Sequence, residues 1–198
     1  MINLVRIFGV AYNYSDLDEK LGKTFEPLIF RKGLMTARGH PIYVRGENRT
    51  WPEVELAIRI GRDKSDPYGI YIAAIGVAND VTTRWSKNMA IHSFLGKETD
   101  SHCPIGMWRS PELLPLAEEM ATLINGEVVQ ESHIGFMKLT TTQIVNKIQK
   151  TVRLNDGDII LTGTPAHSHT LLKPGDIVTC AIQGIGEITN PVEAYSAS

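Results

Sequence analysis

Glu53 and Glu55 stand two residues apart at the head of an alternating segment, so on an extended strand they share one face with Ala57 and Arg59. Val54, Leu56, Ile58 and Ile60 take the other face. Side-by-side carboxylates repel unless a proton or a cation lies between them. A third acid, Asp80, follows Asn79 after residues 70–78, a nearly all-apolar run that reads as a central strand. Mixed folds commonly place ligands at the end of a buried strand. Together the three acids form an all-oxygen set that suits Mg²⁺, Mn²⁺ or Ca²⁺ and is poor for Zn²⁺ or copper. The plainer readings are a solvated outer face for the two glutamates and a helix N-cap for Asp80 or Thr82. No His-rich or Cys-rich spacing competes for a metal.

Other polar groups fall around this set. Arg84 lies one helical turn beyond Asp80, which would turn both toward one cavity if a helix begins there. Lys97 lies in a polar loop that runs to a strand started by Pro104. Thr162-Gly163-Thr164-Pro165 closes a short apolar strand, and its hydroxyls and backbone N–H groups suit a carboxylate. Each also reads plainly, as a surface Arg, a loop Lys and a strand-ending turn. His167 and His169 have the spacing to clip a metal, though loop histidines are more often solvated; His92 and His102 stay open. No Ser or Cys sits in a nucleophile elbow, and no phosphate-binding glycine motif occurs.

These groups need a frame. With 17 Gly and 10 Pro separating short β-branched segments, the chain predicts strands over Leu4–Phe8, Leu28–Arg31, Ile42–Val44, Val54–Ile60 and Ile70–Ala78. Asn125-Gly126 marks a two-residue hairpin. Helices are expected at Thr140–Thr151, opened by a Thr140/Gln143 capping box, at Thr83–Leu95 with Trp85, Met89, Ile91 and Phe94, and at Ser15–Leu21 ending on Gly22. Residues 154–162 echo 172–180, each a glycine turn feeding a strand, and predict two antiparallel neighbours of one sheet.

At 198 residues and 42% hydrophobic, the chain is expected to be one globular domain, 1–198, with a sizeable core. Lys plus Arg is 20 against 22 Asp plus Glu, and the net charge of −2 argues against nucleic-acid or polybasic membrane partners. Arg59, Arg62, Asn79 and Asp80 interrupt the best apolar runs, and the start lacks the pattern of a secretory signal. Cys103 and Cys180 cannot make a disulfide framework. The expectation is a soluble, cytoplasmic protein.

Taken in order, the motifs resemble the fumarylacetoacetate hydrolase family, in its 2-hydroxyhepta-2,4-diene-1,7-dioate isomerase-like or acylpyruvate hydrolase-like branch. They are Asn13-Tyr14, residues 27–32 (PLIFRK), 53–61 (EVELAIRIG), 79–84 (NDVTTR), Gly96-Lys97, 103–106 (CPIG), 125–127 (NGE), 157–165 (GDIILTGTP), 174–176 (PGD) and 184–186 (GIG). The resemblance implies an α+β, predominantly β fold: a mixed β-roll of several sheets with a few short helices, usually a homodimer. It implies Mg²⁺ (or Mn²⁺, Ca²⁺) held by Glu53, Glu55 and Asp80, with Lys97 and Arg84 catalytic, and Asn13, Tyr14, Lys87 and Thr164 around the substrate. Substrates are implied to be small 2-keto or 2-enol carboxylic acids, and reactions to be isomerisation, decarboxylation or C–C hydrolysis of acylpyruvates. A metal with Lys97 and Arg84 would supply positive charge at the developing oxyanion.

The chain departs from the pattern in places. Many members carry a His on a lid helix, paired with a Glu three residues on; within the lid segment 1–25 those positions are Leu17 and Lys20. The usual Gln is Lys87, Ala166-His167-Ser168 replaces Gly-Val-Gly, and the stretch from Lys32 to Trp51 is short. Isomerisation or decarboxylation is therefore expected ahead of hydrolysis. The alternatives are a degenerate member that binds metal or keto-acid without chemistry, and a structural dimer with the acids unmetallated. The second fares worse, because three close acids without a cation cost stability.

Overall fold

The computed structural model describes residues 5–36, 38–46, 48–63, 65–66, 69–84, 96–114, 119–166 and 169–196. Its elements run β1 (Ile7–Ala11), α1 (Ser15–Leu21), β2 (Leu28–Lys32), β3 (Ile42–Val44), β4 (Arg49–Trp51), β5 (Val54–Arg62), β6 (Ile70–Asn79) and β7 (Thr82–Arg84). They continue with β8 (Glu119–Ile124), β9 (Glu127–His133), α2 (Thr141–Gln149), β10 (Ile159–Leu161), β11 (Ile177–Ile182) and β12 (Gly186–Ala194). One five-stranded sheet has the order β2-β1-β10-β5-β6, a second the order β3-β12-β11-β8-β9, and β4 pairs with β7. The pairs β1–β10 and β12–β3 are parallel, and the other described pairs are antiparallel. This is the mostly β architecture of several mixed sheets that the sequence predicts.

Alternation along β5 builds the layers. Leu56, Ile58 and Ile60 join Ile75 and Val77 of β6 in the large core, where β5 and β6 pack against the second sheet. Ile144, Val145 and Ile148 of α2 complete that core. Ala57 points the other way, into a smaller cluster with Ile7, Ala78, Cys103, Ile105, Ile159 and Leu161. Burying each Leu or Ile is worth roughly 1.5–3 kcal/mol, so β5 and β6 form a stiff frame. With both faces of β5 covered, Glu55 is only 2% exposed. The solvated outer face is thereby excluded for it.

Turn chemistry places several boundaries where expected. Asn125 (φ 55°) and Gly126 (φ 85°) both take the positive φ of a type I′ turn between β8 and β9. Thr140 and Gln143 form the reciprocal capping box of α2, and Gly22 at φ 63° ends α1. Helix α1 is tied down: Ser132 donates to Asp16 (2.5 Å), Lys138 pairs with Asp18 (2.7 Å), and Leu17 packs against the large core. Among the described residues, no helix is long and apolar enough to cross a membrane.

Three expectations are corrected. The first strand runs Ile7–Ala11 rather than Leu4–Phe8, in register with β2 from Ile7–Lys32 to Ala11–Leu28. The echoed strands are not neighbours: β10 lies between β1 and β5, and β11 lies between β12 and β8 of the other sheet. The local pattern encodes the turn and the strand, but burial selects the partner; β10 is buried at all three positions, whereas β11 alternates. Finally, no helix starts at Thr83. Thr82–Arg84 pairs with β4, Trp51 opposite Thr82, and the Thr50 and Thr83 hydroxyls bond at 2.7 Å. Adjacent β-branched threonines favour that extended state. The rest of the expected helix, with Trp85, Lys87, Met89, Ile91, His92 and Phe94, lies outside the described residues.

Candidate metal centre

Antiparallel pairing sets Val54 opposite Asn79, which brings Glu53, just before β5, beside Asp80, just after β6. The corner is locked: Asp80 N donates to Glu53 O (2.9 Å), and Glu53 N donates to Asn79 Oδ1 (3.0 Å). Glu55 follows on the same face of the strand. One oxygen from each of Glu53, Glu55 and Asp80 lies within 4.8 Å of the others, and all three residues are buried.

Donors surround the trio. Lys97 Nζ donates to Glu53 Oε2 (2.8 Å) and Asp80 Oδ2 (2.7 Å). The buried Lys32 Nζ lies 2.5 Å from Asp80 Oδ1 as a charge contact, while its hydrogen bond goes to Val81 O (2.8 Å). Trp51 Nε1 donates to Glu53 Oε1 (2.8 Å), and Gly163 N donates to Glu55 Oε2 (2.7 Å). Position 163 requires glycine, since φ is 103° and a Cβ would stand 2.7 Å from Val10 O.

Three carboxylates face two ammonium groups, and the imbalance is felt. Burial first, then the charges of Asp80 and Glu53, push the Glu55 carboxyl well above the ordinary range, against Lys97 and the Gly163 N–H. Burial opposes the Lys97 ammonium, but the charges of Asp80, Glu53 and Glu55 outweigh it and hold the lysine protonated beyond its usual range. Asp80 Oδ1 is buried, with the Lys32 ammonium as its charge partner. Three buried carboxylates with one oxygen each within 4.8 Å of the others, and more negative than positive charge around them, fit a hard divalent cation.

The trio opens on a cavity of about 380 Å³. Val10, Ala11, Leu17, Leu21 and Phe30 give it an apolar wall, with Tyr12 stacked on Phe25 at 4.6 Å. Lys97, Thr82, Arg84 and Thr164 add polar groups, and Trp51 and the exposed His169 complete the lining described. A larger cleft of about 530 Å³, between Phe30 and Lys147, has no carboxylate among the described residues of its lining.

The structure thus brings Glu53, Glu55, Asp80, Lys97, Arg84 and Thr164 to one cavity, Arg84 from a strand rather than a helix. Asn13 serves the loop behind it, and Tyr14 is buried in the large core. Asn13 Nδ2 donates to Thr162 O (2.8 Å), its Oδ1 accepts from Leu139 N (2.9 Å), and Tyr14 OH donates to Met120 Sδ (3.2 Å). Burial, then Glu55's charge, raises the Tyr14 phenol. Lys87, His92 and His167 lie outside the described residues. His102 is interior: Thr50, Thr83 and His102 form a hydrogen-bonded chain ending on Asp100 O, and burial, then Lys32, pushes its pKa down to about 3. Burial pushes both Cys103 and Cys180 up to about 12.

Sequence reasoning missed Lys32, Trp51 and Gln130. Gln130 Nε2 donates to Thr164 Oγ1 (3.0 Å) and Pro165 O (3.1 Å), while its Oε1 accepts from Thr122 (2.8 Å), so it holds the 162–165 turn in place. Its position on an alternating strand was the available signal; its partners, 34 and 35 residues on, were not.

Residues 6–193 match the Fumarylacetoacetate (FAA) hydrolase C-terminal family, and the chain belongs to that family. The crystal structure of 5-carboxymethyl-2-hydroxymuconate delta-isomerase from Mycobacterium smegmatis is 30% identical with a TM-score of 0.83, over 97% of this chain and 80% of that one. That of 2-hydroxyhepta-2,4-diene-1,7-dioate isomerase from Mycobacterium marinum is 30% identical with a TM-score of 0.81, over 97% and 75%. Mitochondrial oxaloacetate tautomerase fahd2 of Xenopus laevis is 33% identical, over 96% of this chain and 66% of the longer relative.

Proposed function

We propose that this chain is a divalent-metal-dependent enzyme acting on small 2-keto or 2-enol carboxylic acids, by isomerisation or decarboxylation in preference to C–C hydrolysis. The observation that carries the reading is the buried Glu53, Glu55 and Asp80 set facing, with Lys97, a cavity with one apolar wall. The relatives named as isomerases and a tautomerase support it.

Glu53, Glu55 and Asp80 would hold Mg²⁺ (or Mn²⁺, Ca²⁺), which when bound polarises keto-acid oxygens and stabilises enolate charge. Lys97, kept as an ammonium by its two carboxylate bonds, adds fixed positive charge where the oxyanion develops. Arg84 takes a substrate carboxylate, for which its planar fork is suited. Thr164, oriented by Gln130, donates a hydroxyl to the bound acid. Asn13 acts through the loop it pins, Tyr14 through the core contact it makes behind the site, and Lys87 is a further substrate contact on resemblance alone. The apolar wall that includes Leu17 offers no base to activate water.

The test is the keto–enol interconversion of oxaloacetate, followed by enol absorbance, beside a 2-hydroxy-dienedioate and an acylpyruvate. With Mg²⁺ or Mn²⁺ the protein should accelerate the first two by at least about 10²-fold more than the third, the effect of one missing acid–base group. Chelation or Asp80→Ala should remove the acceleration and the calorimetric metal binding together. Rates equal to protein-free buffer would overturn the reading.

The whole chain is proposed to act as one catalytic domain, in the cytoplasm and as a homodimer. Edge strands β2 and β9 leave Leu28 and Val128 each 57% exposed, surfaces that a second copy would cover. Light scattering at micromolar concentration should give twice the 21.9 kDa chain mass; a monomer mass rejects the dimer.

A further inference from the structure

Among the described residues that line the cavity, one imidazole is present, and it comes from a loop that the sequence left as solvated surface. We propose that His169 is the group that exchanges a proton with the substrate carbon next to the keto group. The assignment rests on the functional reading above.

Three observations place it. His169 lines the same cavity as the trio, Lys97 and Arg84. Its ring packs edge-on against Trp51, with centroids 4.8 Å apart and planes at 82°. The indole is itself fixed by its bond to Glu53 Oε1 (2.8 Å) and by the Trp51–Thr82 pairing, so one side chain spans from the imidazole to the candidate metal ligands. Third, His169 has φ 53°, a left-handed turn in the backbone, which it shares with Tyr12 of the same lining.

Three other cavity residues are unsuited to the task. Lys97 spends two N–H bonds on Glu53 and Asp80 as an ammonium. An arginine such as Arg84 does not lose its proton in a protein. Leu17 has nothing to exchange. Histidine is the side-chain type that takes and returns a proton near neutral pH.

The step balances as follows. A neutral imidazole nitrogen of His169 takes the proton from the carbon. The C–H electron pair becomes the C=C bond of the enol, and the C=O π pair moves to the oxygen, which gains a proton from solvent. In the reverse direction the imidazolium returns its proton to carbon.

The experiment measures Mg²⁺-dependent hydrogen–deuterium exchange at C3 of oxaloacetate in D₂O by NMR, on the full chain. His169→Ala should lower kcat by about 10²-fold or more while leaving KM within about threefold, the signature of a group acting in the transition state. Added imidazole should restore part of the rate to His169→Ala, and His169→Gln should stay slow. Calorimetric Mg²⁺ binding should be unchanged in both variants. An exchange rate in His169→Ala equal to that of the unmodified protein overturns the assignment alone. A slow variant that imidazole does not rescue and that has lost Mg²⁺ binding also overturns it, in favour of a structural role. No exchange in the unmodified protein overturns the functional reading and this assignment with it.

Discussion

Lys32→Met is expected to destabilise the protein by about 3–5 kcal/mol, the usual cost of leaving one member of a buried ion pair alone. Lys32 ends β2 with its ammonium fully buried, against Asp80 Oδ1 and the Val81 carbonyl. Methionine keeps the unbranched shape and most of the volume, so the substitution isolates the charge. Without it, the three buried carboxylates retain Lys97 as the ammonium that bonds them, with Arg84 in the same cavity. At roughly 2–4 °C per kcal/mol for a chain of this size, the melting temperature should fall by about 10 °C. The comparison is Arg31→Met, one residue earlier on the strand. Arg31 lies 5.0 Å from the Phe8 ring centroid on the exposed side, a contact worth about 0.5–1 kcal/mol. Thermal unfolding of both variants in chelator decides the matter. Equal, small losses would show that the Lys32–Asp80 contact contributes little.

That contrast between adjacent cations marks how far the sequence could be read. A strand's period of two fixes Glu53 and Glu55 on one face, and the apolar run ahead of Asp80 fixes a strand end, so the acids were legible from local pattern. Which of Arg31 and Lys32 turns inward is not local. It follows from the register that sets Ile7 opposite Lys32 and Phe8 opposite Arg31. The same holds for Trp51, which looked like core; its indole N–H meets Glu53 because the chain bends between β4 and β5. Gln130 reaches Thr164 only once β9 and the 162–165 turn are brought together. The echo of β10 and β11 is the clearest case, since nearly the same turn and strand were assigned to different sheets by what could be buried. Turns and strands were in the local pattern, and partners were in the packing.

Leu17→His is the second large effect, this time a gain. Hydrolysis of a C–C bond needs a base to take a proton from water, and one positioned acid–base group is worth about 10²–10⁴-fold in rate. Helix α1 carries Leu17 to the cavity wall, one turn before Leu21, which lines the same wall. Leu17 is half-buried against the large core, so an imidazole in its place meets apolar surroundings that disfavour its charged form and keep it a base. Lys20 lies three residues on, within reach across the helix face, and Lys20→Glu would supply a carboxylate to orient the ring. Acylpyruvate hydrolysis should rise by about 10-fold in Leu17→His and about 10²-fold with Lys20→Glu added, the lower end of what a placed base gives. Tautomerisation of oxaloacetate should change by no more than about threefold, because its proton moves through a group the substitutions leave alone. Both activities are to be measured on one preparation of each variant. If the unmodified protein already hydrolyses acylpyruvates as fast as it tautomerises, and neither substitution changes that, the aliphatic wall at position 17 does not set the reaction.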